Sequence, residues 1–455
     1  FIQTAITWYD KADRPTHAAT YGRDNGSTRY VYNSSGVLID ANSDGIPDEA
    51  AGTPREPNTS NDYIATKYEY DAAGRRQFVY DNKGRKTFSE YDLLGRTTKV
   101  VENYVNGAVT ETEHDTDRTT EYVYDSSGRM SVIRAKNPKG TGNGVENQET
   151  RYLYDSPING NWATSTVYPD SSDTNSSGTD QQKVVFDRLG RRTELTDQRG
   201  VVRKFVYDSA GRLQYDTASS LGSSGSVDGT VRSIGYTYDS LSRIELVSSY
   251  PSFNGTTFAG SGTKVNEVKR VYDGWGNVSQ DWQEVDGAVT GSSRKVSYFY
   301  ETEAVGSTDE VKYVRPDYMT YTSGRNVYYI YPTSGVGQKL NRVESIAEDG
   351  SGTTKNVTYS YIGASTIVQQ SRPQVTNGLV LDYSNSQTYS GWDRFGRIVD
   401  QKWRNTAGTT NHDRFQYGYD RTSNRTYKDV TPSVSTSGKD EYYEYDGLDR
   451  LVKWN

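Results

Sequence analysis

One hexapeptide recurs along this chain and limits what it can fold into: an aromatic residue, Asp, two variable residues, Gly, then Arg or Asn. It stands as YDAAGR at Tyr70, YDNKGR at Tyr80, YDLLGR at Tyr91, YDSSGR at Tyr124, FDRLGR at Phe186, YDSAGR at Tyr207, YDGWGN at Tyr272 and WDRFGR at Trp392. Looser copies are YNSSGV at Tyr32, YDSLSR at Tyr238, YDRTSNR at Tyr419 and YDGLDR at Tyr445. Copies follow each other at 10 and 11 residues from Tyr70 through Tyr80 to Tyr91, and at 21 from Phe186 to Tyr207. A repeat this short cannot bury a core alone, so neighbouring copies have to stack.

The chemistry of the motif is that of a tight turn between two strands. The residues before each copy alternate, so Thr66, Tyr68 and Tyr70 share one face, as do Thr120, Tyr122 and Tyr124. Asp at the first turn position accepts backbone N–H groups two residues on, and Gly at the fourth takes the positive φ that closes the hairpin. That places Gly74, Gly84 and Gly95 at positive φ. Arg then opens the return strand, within reach of the Asp carboxylate or a Tyr ring. Asn106-Gly107 and Asp286-Gly287 read as further hairpin turns.

Composition agrees with strands. Val outnumbers Leu by 40 to 15, and Tyr alone supplies 39 residues, a bias that suits half-buried pleated surface better than helix. Leu, Ile, Val and Phe make up only 79 of 455 residues, low enough to raise disorder, but 56 aromatics and a net charge of −7 argue against it. The expected fold is all-β, a long array of antiparallel β-hairpins. Residues 1–60 form an N-terminal segment and 61–455 one continuous array, divergent at about 300–390, where the hexapeptide is lost but Tyr-rich alternation persists. The Ser/Gly/Asn-rich tracts at 137–148, 170–180 and 219–229 read as surface loops.

The absence of Cys excludes disulfides and a thiolate nucleophile, the acidic balance makes nucleic acid an improbable partner, and no apolar run reaches the length of a membrane helix.

These copies resemble the YD-repeat (Rhs) family, which includes Rhs polymorphic toxins, the cocoon components of insecticidal toxin complexes and teneurin barrels; the resemblance runs from about Tyr30 to Tyr445. It implies a β-ribbon spiralling into part of a hollow shell or barrel. It also implies a non-catalytic structural segment of a larger exported or cell-surface protein, enclosing or displaying another module that is its own polypeptide or a cargo. A cell-surface adhesin binding glycans or a partner protein is the alternative. In the toxin branch, Asp-Pro motifs announce an autoproteolytic core; this chain has no Asp-Pro dipeptide, so the expectation is an internal segment without release chemistry.

The sharpest local motif is a candidate calcium loop. Asp40, Asn42, Asp44, the Ile46 carbonyl and Asp48 fall at the ligand positions of a calcium loop, with Gly45 at the turn. Ala51 stands where a bidentate Glu is usual, which sets the expectation of weak Ca²⁺ binding. Against this stands an ordinary acidic turn. No catalytic residue is expected: His17, His114 and His412 are scattered and no hydrolase motif is present. The Tyr ladders read as packing rather than sugar-stacking faces, with Trp162, Trp282 and Trp403, outside the hexapeptide, the first candidates for glycan contact.

Overall fold

The computed structural model describes residues 3–23, 64–108, 115–137, 147–169, 181–222, 228–251, 263–304, 311–383, 391–431 and 440–455. Thirty strands and one five-residue helix, Gly335–Lys339, make up its regular structure, as the all-β expectation requires. The described chain forms two compact units. One comprises Phe1–Glu121, Ala135–Gly140 and Val357–Asn455; the other comprises Tyr122–Arg134 and Thr141–Asn356.

In both units the strands pair antiparallel with their sequence neighbours. In the first, Gln3–Tyr9 pairs with Pro15–Arg23, which pairs with Ile64–Tyr70, and the ladder continues through Arg76–Tyr80, Lys86–Tyr91 and Thr97–Glu102. Later in that unit the ladder runs from Thr366–Arg372 to Leu451–Trp454. In the second unit an unbroken ladder leads from Gln148–Leu153 to Ser345–Ala347. Residues 300–390, which have lost the hexapeptide, are therefore strands of the same kind.

Burial is thin. Among the described residues only eleven apolar side chains are deeply buried, most of them Val or Ala, such as Val101, Ala347, Val368 and Val380. Most strand residues are half-buried on both faces of the pleat. Packing comes instead from cross-strand rings: Phe78 lies 5.2 Å from Phe88, and Phe299 stacks on Tyr318 at 4.2 Å. Such pairs add about 0.2–1 kcal/mol each, which makes Tyr the economical residue for a sheet poor in aliphatics.

Two expected hairpins differ. Strands Thr97–Glu102 and Arg118–Tyr124 are not joined by a two-residue turn at Asn106-Gly107. Instead the buried Asp117 carboxylate accepts the Val105 and Gly107 N–H groups at 2.9 and 2.8 Å and holds a longer connection. At Asp286-Gly287 the strands end at Glu284 and resume at Arg294, and the Glu284 carboxylate bridges the gap by accepting the Ser293 hydroxyl at 2.6 Å. In both places a carboxylate outside the dipeptide decides the turn, so the dipeptide alone misleads.

Candidate functional site

The repeat turn is the constellation that recurs. Asp71 Oδ1 accepts the N–H groups of Ala73 and Arg75, both at 2.9 Å, while Oδ2 accepts Arg75 Nε at 2.7 Å. The Gly74 N–H donates to the Asp71 carbonyl at 2.9 Å, and Gly74 has φ 82°. Gly84 and Gly95 follow at 81° and 80°, as the turn reading requires. The same bonds recur at Asp92–Arg96, Asp125–Arg129, Asp187–Arg191, Asp208–Arg212 and Asp239–Arg243. Backbone N–H donation from Arg75 and Arg212 holds the Asp71 and Asp208 carboxyls below their ordinary range.

Each turn Arg then reaches the following hairpin. The Arg75 guanidinium lies 4.9 Å from the Tyr91 ring centre, Arg212 lies 4.4 Å from Tyr238, and Arg243 lies 4.2 Å from Tyr272. The covered Tyr donates its hydroxyl to the carbonyl of the residue after that Arg. Tyr91 bonds Arg76 O at 2.6 Å, Tyr238 bonds Leu213 O at 2.6 Å, and Tyr272 bonds Ile244 O at 2.9 Å. Arg14 with Tyr70, Arg129 with Tyr154, Arg191 with Tyr207 and Arg397 with Tyr419 repeat the arrangement. One hexapeptide thus performs two jobs. Asp, Gly and Arg build a turn, and Tyr with the preceding Arg locks one hairpin to the last.

Two copies escaped the sequence reading. Tyr9-Asp10-Lys11-Ala12-Asp13-Arg14 closes the first hairpin with the same bonds, Asp13 taking the Gly place at φ 56°. The signal was present, because YDGLDR at Tyr445 carries the same Asp. At Tyr321 the turn hydrogen bonds persist without the Asp: Gly324 N–H donates to Tyr321 O, and Tyr321 N–H to Arg325 O. The copy YNSSGV at Tyr32 lies outside the described residues.

Successive hairpins alternate direction, so the Asp81 turn faces the opposite edge of the sheet from the turns at Asp71 and Asp92. Its Arg85 covers no Tyr of the next hairpin. Within the first unit it donates to Gly447 O at 2.8 Å and pairs with Asp449 at 2.6 Å. Lys83 bridges Asp420 at 2.7 Å and Asp449 at 3.2 Å. The Asp115 carboxylate accepts the Gly447 N–H at 2.6 Å. At Gly22, with φ 68°, a Cβ would stand 2.2 Å from the Arg394 carbonyl. Burial pushes the Asp449 carboxyl up, but bonds from Arg85, Lys83, Asn424 and Thr422 outweigh it and hold the group well below the carboxylate range. This charged seam joins hairpins more than 330 residues apart, and no sequence spacing announces it.

The seam borders a cavity of about 240 Å³ whose walls include Ile64, Asn82, Phe395, Arg397, Tyr419 and Asp420. Its charges are occupied: Arg397 binds Asp393 and covers Tyr419, and Asp420 binds Lys83 and Asn424. The sequence candidates do not converge. His17 packs edge-on to Trp8 at 6.3 Å, His412 is exposed on another strand, and His114 lies outside the described residues. Trp162 packs 5.4 Å from Phe186, Lys295 covers Trp282 at 4.3 Å, and Trp403 is half-buried. The calcium candidates Asp40, Asn42, Asp44, Ile46 and Asp48 lie outside the described residues. Among the described residues no cluster of three or more His, Asp or Glu side chains is placed to hold a metal. No helix among them is long and apolar enough to cross a membrane.

No protein-family model and no curated protein matches the chain. Solved structures do. Crystal structures of TcdB2-TccC3-Cdc42, of TcdB2-TccC3 without its hypervariable C-terminal region, and of TcdB2-TccC3-TEV match with TM-scores of 0.53, 0.52 and 0.51. Each is 14% identical, and the match covers 99% of this chain and 23% of that one. The chain therefore spans about a quarter of the length of these proteins. At this identity the likeness concerns fold: thirty antiparallel strands built from locked hairpins share the architecture of a stretch of the TcdB2-TccC3 chains.

Proposed function

We propose that the chain is a non-catalytic wall segment of a larger exported YD-repeat protein, curling into part of a hollow shell or barrel that encloses or displays another module. The observation that carries this reading is the Tyr–Arg lock combined with thin burial. A sheet must cover at least one face, and a twisted, laterally locked strip without a thick core does so by curling around a lumen. Likeness to part of the TcdB2-TccC3 fold supports the same reading. The turn chemistry engages the Asp and Arg side chains with one another, which leaves them structural rather than catalytic. Solution X-ray scattering tests the shape. A compact chain of 455 residues would have a radius of gyration of about 22 Å, and a curved wall exceeds it. A value at the compact figure overturns the proposal.

Export goes with the calcium loop. Asp40, Asn42, Asp44, Ile46 and Asp48 bind Ca²⁺ near 10⁻⁴ M or more weakly, roughly the range of extracellular modules. Calorimetric titration with millimolar Ca²⁺ gives a saturable heat that Asp44→Ala abolishes. No heat in the unmutated chain leaves an acidic turn.

A further inference from the structure

The first unit carries two edge strands whose chemistry is complementary. Strand Leu451–Trp454 pairs only with Glu441–Tyr445 among the described strands. Leu451, Val452 and Trp454 are 54%, 61% and 65% exposed, so apolar residues stand open on both faces of the pleat. The strand is held firmly in place, because its turn is fixed to Arg85 and Asp115 through Gly447. Arg450 is bound to Asp446 in the usual way, yet its side chain is 54% exposed. Where a following Tyr covers the turn Arg, exposure falls to 33% at Arg75, 32% at Arg212 and 21% at Arg397. In those locks the Tyr immediately precedes the Asp of its own turn and bonds the carbonyl after the Arg. The acceptor here would be Leu451 O.

The missing half stands at the other edge. Strand Gln3–Tyr9 pairs only with Pro15–Arg23 among the described strands, and ends in Tyr9-Asp10. Tyr9 is 60% exposed. Tyr70, Tyr91, Tyr207 and Tyr238 hold the same position in later hairpins and are half-buried.

We propose that these edges are the two halves of one lock, so that strand Gln3–Tyr9 of a second copy adds antiparallel to strand Leu451–Trp454. Tyr9 covers Arg450 and donates its hydroxyl to Leu451 O, while main-chain bonds extend the ladder, the mode by which exposed sheet edges capture strands. The contact is heterologous: each copy offers a donor edge at one end and an acceptor edge at the other, so association runs head to tail.

Sedimentation velocity of the whole chain over a rising concentration series tests this. The unmutated protein gives dimers and then longer species. Tyr9→Ala removes the donor, and Val452→Pro blocks the acceptor edge; each variant alone stays monomeric. An equimolar mixture of the two regains dimer and stops there, since one intact donor meets one intact acceptor. Circular dichroism of each variant matching the unmutated chain shows that the array is folded. A monomeric unmutated chain at its highest soluble concentration, or oligomers that survive Val452→Pro, would overturn the proposal. The outcome is independent of shape: a hollow but monomeric chain sinks this inference and leaves the wall reading standing.

Discussion

At Gly95 the turn leaves nothing within 4 Å of where a Cβ would project, while φ stands at 80°. Replacing Gly95 with Val therefore meets no neighbour and isolates the backbone cost of a β-branched residue in the left-handed region, about 1–3 kcal/mol. Ala73→Val, in the variable pair of the Asp71 turn, costs well under that. Urea unfolding of both variants checks it, and equal losses would refute the turn assignment. Natural exceptions show the cost being tolerated: Ser242, Ser423 and Asp449 hold the Gly place at φ 64°, 73° and 59°. Asp449 is the instructive one, since its carboxylate meets Arg85 and Lys83. A residue that weakens the turn locally has been put to use across the seam.

Hairpins are joined by two different means. Along the array each is fixed to its neighbour by backbone ladder, Arg–Tyr contact and Tyr hydroxyl, all spelled by the hexapeptide. Across the seam of the first unit the bonds are ionic and come from residues in the variable pair, Asn82 and Lys83, or from an Arg diverted from its usual Tyr. Arg85→Met should cost about 2 kcal/mol, the scale of hydrogen bonds to a charged group. Part of the loss is electrostatic, so the gap to the unmutated chain narrows as salt rises toward 1 M. Arg212→Met, whose partners are local, serves as the reference. Thermal melts at low and high salt compare the two, and identical salt dependence would count against a seam that holds the unit together.

For the molecule as a whole, the turn carboxyls set the acid limit. Side-chain bonds from Arg14 and Arg129 hold Asp10 and Asp125 below their ordinary range, and Arg325 with Asn356 brings Glu348 down to about 2. These groups bind protons more weakly folded than unfolded. Their contribution is complete above the unfolded values near 4 and drains as the pH falls toward about 2. On the alkaline side, burial raises Tyr331 to about 12. That group binds its proton more tightly when folded, so its contribution is complete below about pH 10 and is lost as the pH rises through 12. Melting temperature followed from about pH 2 to 12 should show a broad plateau with both flanks; an acid flank starting above about pH 6 would contradict the carboxyl assignment.

Strand, turn, positive-φ glycine and the all-β class were legible in the sequence because they rest on contacts within a few residues, repeated often enough to stand out. The Arg–Tyr contact was legible as a capacity, but which Tyr each Arg covers depends on the pairing of successive strands. Asn106-Gly107 misled because Asp117, eleven residues after Asn106, supplies the capping carboxylate. Lys83, Arg85 and Asp449 gave no sign of one another, since nothing in a ten-residue period encodes a partner 366 residues away. Local hydrogen bonding determined the hairpin, and only the tertiary structure, by bringing opposite sheet edges together, decided where the array is fastened to itself.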